Sequence, residues 1–173
     1  MLRNATPADI PAILEIYRPY ILNTAITFEY EVPTLEAFTD RFLQITRDFP
    51  WLVWEEGGEI LGYAYGSRAF ERAAYQWDAD LSIYLRQDCR GRGIGKRLYR
   101  ELEAQMAELG YHVLYCIVTS ANEDSCRFHR TLGYREIAHM ERTGFKFGRW
   151  YDVTWFEKRL QDGNPAHPPK RPE

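Results

Sequence analysis

The run Arg90-Gly91-Arg92-Gly93-Ile94-Gly95-Lys96-Arg97 crowds three glycines and four basic side chains together at the start of a long amphipathic pattern. Glycines let backbone N–H groups approach a ligand, and a helix N-terminus carries roughly half a positive charge, so the run is suited to cradling a phosphate. Two familiar phosphate loops fail on spacing. A P-loop needs four residues between its first Gly and a Gly-Lys pair followed by Ser or Thr, whereas three separate Gly91 from Gly95-Lys96 and Arg97 follows. A dinucleotide fingerprint needs Gly-x-Gly-x-x-Gly early in a βαβ unit, and here the glycines run Gly-x-Gly-x-Gly in mid-chain.

Such a loop must be held by its flanking elements. Leu81-Ser82-Ile83-Tyr84-Leu85 reads as a buried central strand, and Ile94, Leu98, Leu102, Met106 and Leu109 recur at helical spacing up to a Gly110 cap. Upstream, Leu2 to Ala5 is strand-like. Thr6-Pro7-Ala8-Asp9 supplies an N-cap, an N1 proline and an acidic first turn before Ile10, Ile13, Leu14 and Tyr17 line a helical face. A second helix is expected from near Thr34, burying Leu35, Phe38, Phe42 and Ile45. Trp51–Glu55 and Ile60–Tyr65 flank Glu56-Gly57-Gly58-Glu59, a hairpin signal with glycines where positive φ is needed. Downstream come a strand over Tyr111–Thr119, a capping box Ser120-x-x-Glu123 opening a helix that ends near Gly133, and strands near Tyr134–Glu141 and Tyr151–Leu160.

A chain of 173 residues fits one domain, read as 1–160, which can bury roughly two thirds of its unfolded surface. The tail, 161–173, holds four of the nine prolines and almost no apolar residues, and is expected to be disordered and dispensable. The net charge of −3 makes the basic loop a local feature, so no nucleic acid is expected. No apolar run approaches the ~20 residues of a membrane span, and the three cysteines lack metal or redox spacing. The reading is a cytoplasmic, metal-free enzyme with reduced thiols.

Arg90-x-x-Gly93-x-Gly95 after a strand resembles the pyrophosphate loop of the GNAT superfamily of acetyl-CoA-dependent N-acetyltransferases. The resemblance runs from about Leu2 to Leu160, and from Tyr75 to Asp152 it is to one branch, the phosphinothricin and methionine sulfone or sulfoximine N-acetyltransferases. The resembling pieces are Tyr75-x-Trp77-x-Ala79-Asp80-x-Ser82-Ile83-Tyr84-Leu85, the loop, Asn122-x-x-Ser125, His129-x-x-Leu132-Gly133-Tyr134, and Gly144-Phe145-Lys146-x-Gly148-x-Trp150-x-Asp152. It implies an α/β fold of the α+β kind: a mixed, mostly antiparallel sheet flanked by helices and splayed at its central strand.

Amine acetylation needs a group to remove a proton from the acceptor ammonium and donors where charge develops on the thioester oxygen. Asp80 matches the position at which the branch carries a Glu taken as general base; the shorter side chain favours a bridging water. The resemblance implies acetyl-CoA contacts from Ile83, Tyr84 and Leu85, from Arg90, Gly91, Arg92, Gly93, Ile94, Gly95 and Lys96 in the loop, and from Asn122 and Ser125. It implies a catalytic hydroxyl for Tyr84 and a general-acid imidazole for His129, where many superfamily members have Tyr. Acceptor contacts are expected from Thr27, Phe28, Glu29, Arg72, Tyr75, Lys146, Phe147 and Trp150, with Arg72 suited to a carboxylate. Phe147, where some relatives carry His, would favour methionine sulfone or sulfoximine over phosphinothricin. The implied assembly is a homodimer, with the aromatics Trp150, Tyr151 and Trp155 expected to be exposed and suited to its interface. Another amine as acceptor, such as a protein N-terminus, and a non-catalytic acyl-CoA-binding module are the alternatives.

Overall fold

Runs of β-branched and aromatic residues alternate with amphipathic ones along the chain. In the computed structural model, which describes residues 1–89 and 91–172, they form β1 (Leu2–Asn4), α1 (Ile10–Asn23), α2 (Leu35–Thr46), β2 (Trp51–Glu56), β3 (Glu59–Arg68) and β4 (Asp78–Leu85). Then follow α3 (Ile94–Leu109), β5 (Val113–Thr119), α4 (Glu123–Thr131), β6 (Arg135–Lys146) and β7 (Arg149–Arg159). Among the described residues the strands form one seven-stranded sheet, ordered β1-β2-β3-β4-β5-β7-β6. Every pairing is antiparallel except β4 with β5.

Strand alternation sends side chains to two cores. Leu52, Leu61, Ala79, Leu81, Leu114, Cys116 and Phe156 meet α3 and α4 on one face; Trp51, Val53, Ile60 and Tyr63 meet α1 and α2 on the other. On α3, Leu98, Leu102 and Met106 follow each other at i, i+4 and i+8 with no solvent exposure. Truncating such a Leu to Ala costs about 2–5 kcal/mol. Gly110 ends α3 in the left-handed conformation, φ +96°. The hairpin between β2 and β3 turns on Gly57 and Gly58 at φ +59° and +83°, as the spacing predicts.

Three local expectations change. Leu35 stays half exposed, because it is the first residue of α2 and stands at the open end of the stripe on which Phe38 and Phe42 are buried. The cap of α4 is Asn122, whose side chain accepts from Ser125 N–H, while the Ser120 hydroxyl bonds Thr154 instead. The segment 161–172 lacks helix and strand yet lies against the domain, where Trp77 Nε1 donates to His167 O, Lys170 N–H to Leu109 O, and Arg171 pairs with Asp48.

Candidate active site

β4 is the element on which the site is built. It runs with β3 along its whole length, from Arg68↔Ala79 to Gly62↔Leu85, but with β5 only over Asp78↔Val113, Ala79↔Leu114 and Asp80↔Tyr115. Beyond Asp80 the two parallel strands part. Arg86 N–H bonds Leu61 O on the β3 side, so alternation turns the amides of Ile83 and Leu85 into the gap and that of Tyr84 toward β3. The same alternation puts Asp80, Ser82 and Tyr84 side chains on the α1/α2 face and Ile83 and Leu85 on the α3/α4 face.

The gap opens into a cleft of about 330 Å³ lined by Tyr20, Ile26, Ile83, Leu85, Gly91, Gly95, Asn122, Asp124, Ser125 and Phe128. A smaller hollow of about 60 Å³ continues it through the sheet, between Ser82, Tyr84 and Ile26 on one side and Ser125 and His129 on the other. Glycine is favoured along this wall. Gly91 and Gly93 adopt φ +78° and +76°, and a Cβ on Gly95 would press on Leu85 Cδ1 at 3.3 Å. Gly93 caps α3, whose first-turn N–H groups have no partner within the helix, and Gly91 and Gly95 on either side of it line the cleft. Arg92 turns away to pair with Glu56, Lys96 is exposed, Ile94 is buried in the core, and Arg90 lies outside the described residues.

Asp80 is the buried carboxylate of this constellation, Asp124 at the cleft wall being exposed. Its Oδ1 is sealed from solvent without a hydrogen-bond partner, and burial pushes its pKa up to about 7, against a single backbone N–H bond from Leu81. A carboxyl held near neutrality suits proton transfer at physiological pH. Tyr84 packs edge-on to Tyr17 and Tyr20, with ring centroids 4.7 and 5.2 Å away, and burial raises its hydroxyl well above the usual phenol range. It therefore stays protonated and able to donate.

His129 is buried. Its Nδ1 lies 2.8 Å from Ser125 O, an acceptor only, which assigns the proton to Nδ1 and leaves Nε2 to accept from Tyr99 O–H at 2.9 Å. Tyr99 in turn reaches Cys116 Sγ. Burial drives the imidazole down to about 4, so it is neutral at pH 7.

The residues expected at the acceptor side divide. Thr27 and Glu29 both bond the Tyr17 hydroxyl, and Glu29 pairs with Arg41. Phe28 lies over Gly144, where a Cβ would overlap its ring. Lys146 is buried and donates to three backbone carbonyls. Phe147, at φ +50°, forms the β6–β7 turn with Gly148 and borders a hollow containing Ala25, Ile26 and Asn122, while exposed Trp150 packs on Phe145. Arg72 and Tyr75 line a separate hollow with Arg68, Asp78 and the tail; Phe70 links Tyr75 to Tyr115, the register partner of Asp80.

Ile26 and Ser82 were not singled out by sequence. Ser82 shares the Asp80 and Tyr84 face by simple alternation, which was available as a signal; Ile26 sits in an irregular loop that gives none. A larger hollow of about 770 Å³ between α1 and the β2–β3 turn is remote from this chemistry, and its cations Arg3 and Arg86 are paired with Asp9, Glu55, Glu59 and Asp88. Among the described residues no group of three or more His, Cys, Asp or Glu is placed to hold a metal.

Residues 2–155 match the family described as acetyltransferase (GNAT) domain. A phosphinothricin N-acetyltransferase of Streptomyces coelicolor is 32% identical, covering 92% of this chain and 95% of its own. An L-methionine sulfoximine/L-methionine sulfone acetyltransferase of Pseudomonas paraeruginosa is 34% identical over 92% of this chain and 94% of its own. Among solved structures, a GNAT superfamily phosphinothricin acetyltransferase from Sinorhizobium meliloti in complex with acetyl-CoA superposes with a TM-score of 0.91 at 38% identity, covering 97% of this chain and 92% of that one.

Proposed function

The chain belongs to the GNAT acetyltransferase family, and from that premise we propose that it moves acetyl from acetyl-CoA directly to the α-amino group of a small amino acid of the methionine sulfone, methionine sulfoximine or phosphinothricin type. That it is an acetyl-CoA-dependent N-acetyltransferase follows from the family. The acceptor class is supported by the relatives named for those substrates.

The observation that carries the reading is the parting of β4 from β5 at Asp80. It leaves a through-sheet opening whose two sides differ in chemistry. The α3/α4 side combines apolar Ile83, Leu85 and Phe128 with polar Asn122 and Ser125 and ends at a helix N-terminus, which fits a pantetheine arm with a pyrophosphate at its end. On the opposite side Asp80 is the base that takes the acceptor's ammonium proton, directly or through water. The freed amine then attacks the thioester carbonyl, whose oxygen is met by amides on the β5-facing edge of β4. Tyr84 orients the amine through its hydroxyl. Attack forms the C–N bond and a tetrahedral intermediate; as it collapses the C–S bond breaks, and the departing CoA thiolate takes up the second amine proton, on the side where His129 and Ser125 lie.

In this reading Arg72 and Tyr75 receive the acceptor carboxylate, and Phe28, Phe147 and Trp150 shape its side-chain pocket. A second copy covers the exposed aromatics Phe145, Phe147 and Trp150, which suit an interface better than water. Three buried free cysteines suit the cytoplasm, and no described helix is long and apolar enough to cross a membrane.

The test is thiol release from acetyl-CoA across amino acids, their sulfone, sulfoximine and phosphinate analogues, and a peptide N-terminus. Selective turnover of methionine sulfone, methionine sulfoximine or phosphinothricin is expected. Turnover of the peptide alone would replace the acceptor assignment, and acetyl-CoA binding with no turnover of any acceptor would make the protein a binding module.

A further inference from the structure

Lys146 is buried in β6, and its Nζ lies 2.7 Å from Ile21 O, 2.7 Å from Thr24 O and 2.8 Å from Thr27 O. An ammonium has three N–H donors, so all are consumed by main-chain carbonyls. Those carbonyls belong to the end of α1 and the loop after it, the segment that places Ile26 over the opening in the sheet and continues into Thr27, Phe28 and Glu29. The segment is held to the sheet at neighbouring points as well. Thr119 Oγ1 donates to Ala25 O, the Tyr30 hydroxyl to Phe145 O, and Gly144 leaves room for the Phe28 ring.

We infer that Lys146 is a positioning residue, which fixes the loop 24–30 as the acceptor wall and does not itself bind the acceptor carboxylate. The inference rests on the acceptor reading above and sharpens it. An unpaired ammonium would not be kept in so dry a place, whereas three converging carbonyls replace its water shell and leave no N–H for a ligand. The side chain thus trades recognition for geometry, and what it orders is irregular backbone that has no ladder of its own.

Lys146→Met and Gly144→Ala test this, each assayed with an amino acid acceptor and with the same acceptor as its carboxamide. A positioning role raises KM for both forms alike, by about tenfold to a hundredfold, leaves acetyl-CoA affinity within about twofold of wild type, and speeds amide hydrogen exchange in 21–30. A KM increase confined to the free carboxylate would overturn the inference in favour of direct contact, as would unchanged exchange in that segment. Should Lys146→Met fail to fold, Gly144→Ala keeps the ammonium and moves only Phe28; an unchanged KM there would also overturn it. Absence of turnover in wild type would fail the acceptor reading alone, since the exchange measurement needs no acceptor.

Discussion

Asp80 is the register partner of Tyr115, and it is the last residue of β4 to be paired with β5. The carboxylate therefore stands where the two strands part, covered enough to lose its hydration.

This placement is costly to the fold. The folded-state pKa of Asp80, about 7, lies above the ordinary 3.8, so between those values the folded protein keeps a proton that the unfolded chain has released. Stability then falls as pH rises through that window. Asp80→Asn removes the buried charge, and at pH 8 it should stabilise the protein by about 1–3 kcal/mol. Thermal melts of both proteins at pH 5 and pH 8 check this; a variant that melts lower than wild type at pH 8 would refute it.

His129 has the opposite sign. Its folded pKa, about 4, lies below the usual 6.5, so the unfolded chain takes up a proton first as pH falls, and stability is lost between those values. Imidazole NMR should show a neutral Nδ1–H tautomer at pH 7 and a midpoint near 4. A midpoint at 6.5 would mean that the ring is not sealed as described.

Asn122 holds two separable roles. Its Oδ1 caps α4 at Ser125 N–H, and its amide N–H₂ is the group proposed to meet pantetheine. Asn122→Asp keeps the cap but loses the donor, so its melting temperature should stay near wild type while acetyl-CoA affinity falls by about tenfold. Asn122→Ala should lose about 1 kcal/mol of stability besides. Calorimetric titration and melts separate the two.

Removal of residues 161–173 deletes the bonds to Trp77 and Leu109 and the ion pair with Asp48. These restrain the segment carrying Arg72 and Tyr75, so the truncated protein should keep its acetyl-CoA affinity and show a raised KM for the acceptor. Unchanged KM would return the tail to a dispensable one.

The conformation of the glycine loop was readable in the sequence, because glycine spacing reports backbone shape: Gly91 and Gly93 take the positive φ that the pattern implies, as does the cap Gly110 at the far end of α3. The order of strands and helices was readable for a similar reason, since period-two and 3.6-residue patterns follow from which face is buried. The α4 cap was misplaced by two residues because Ser120 and Asn122 are both good caps, and only the Ser120–Thr154 contact across to β7 decides between them. Lys146 was beyond local reading. A Lys in an edge-strand pattern is ordinarily solvated, and its burial depends on carbonyls more than a hundred residues away in the chain. The tail has a disordered composition, but its docking needs only a few scattered bonds and one ion pair, which no local pattern announces.

Asp80 is the group proposed to accept the proton of the acceptor amine. The pH dependence of kcat/KM for thiol release with methionine sulfone, in wild type and in Asp80→Asn, tests this role most directly. Wild type should rise with pH to a plateau with a midpoint near 7, and the variant should lose that limb together with about a hundredfold to ten-thousandfold in rate. A variant that retains both the rate and the limb would contradict the account.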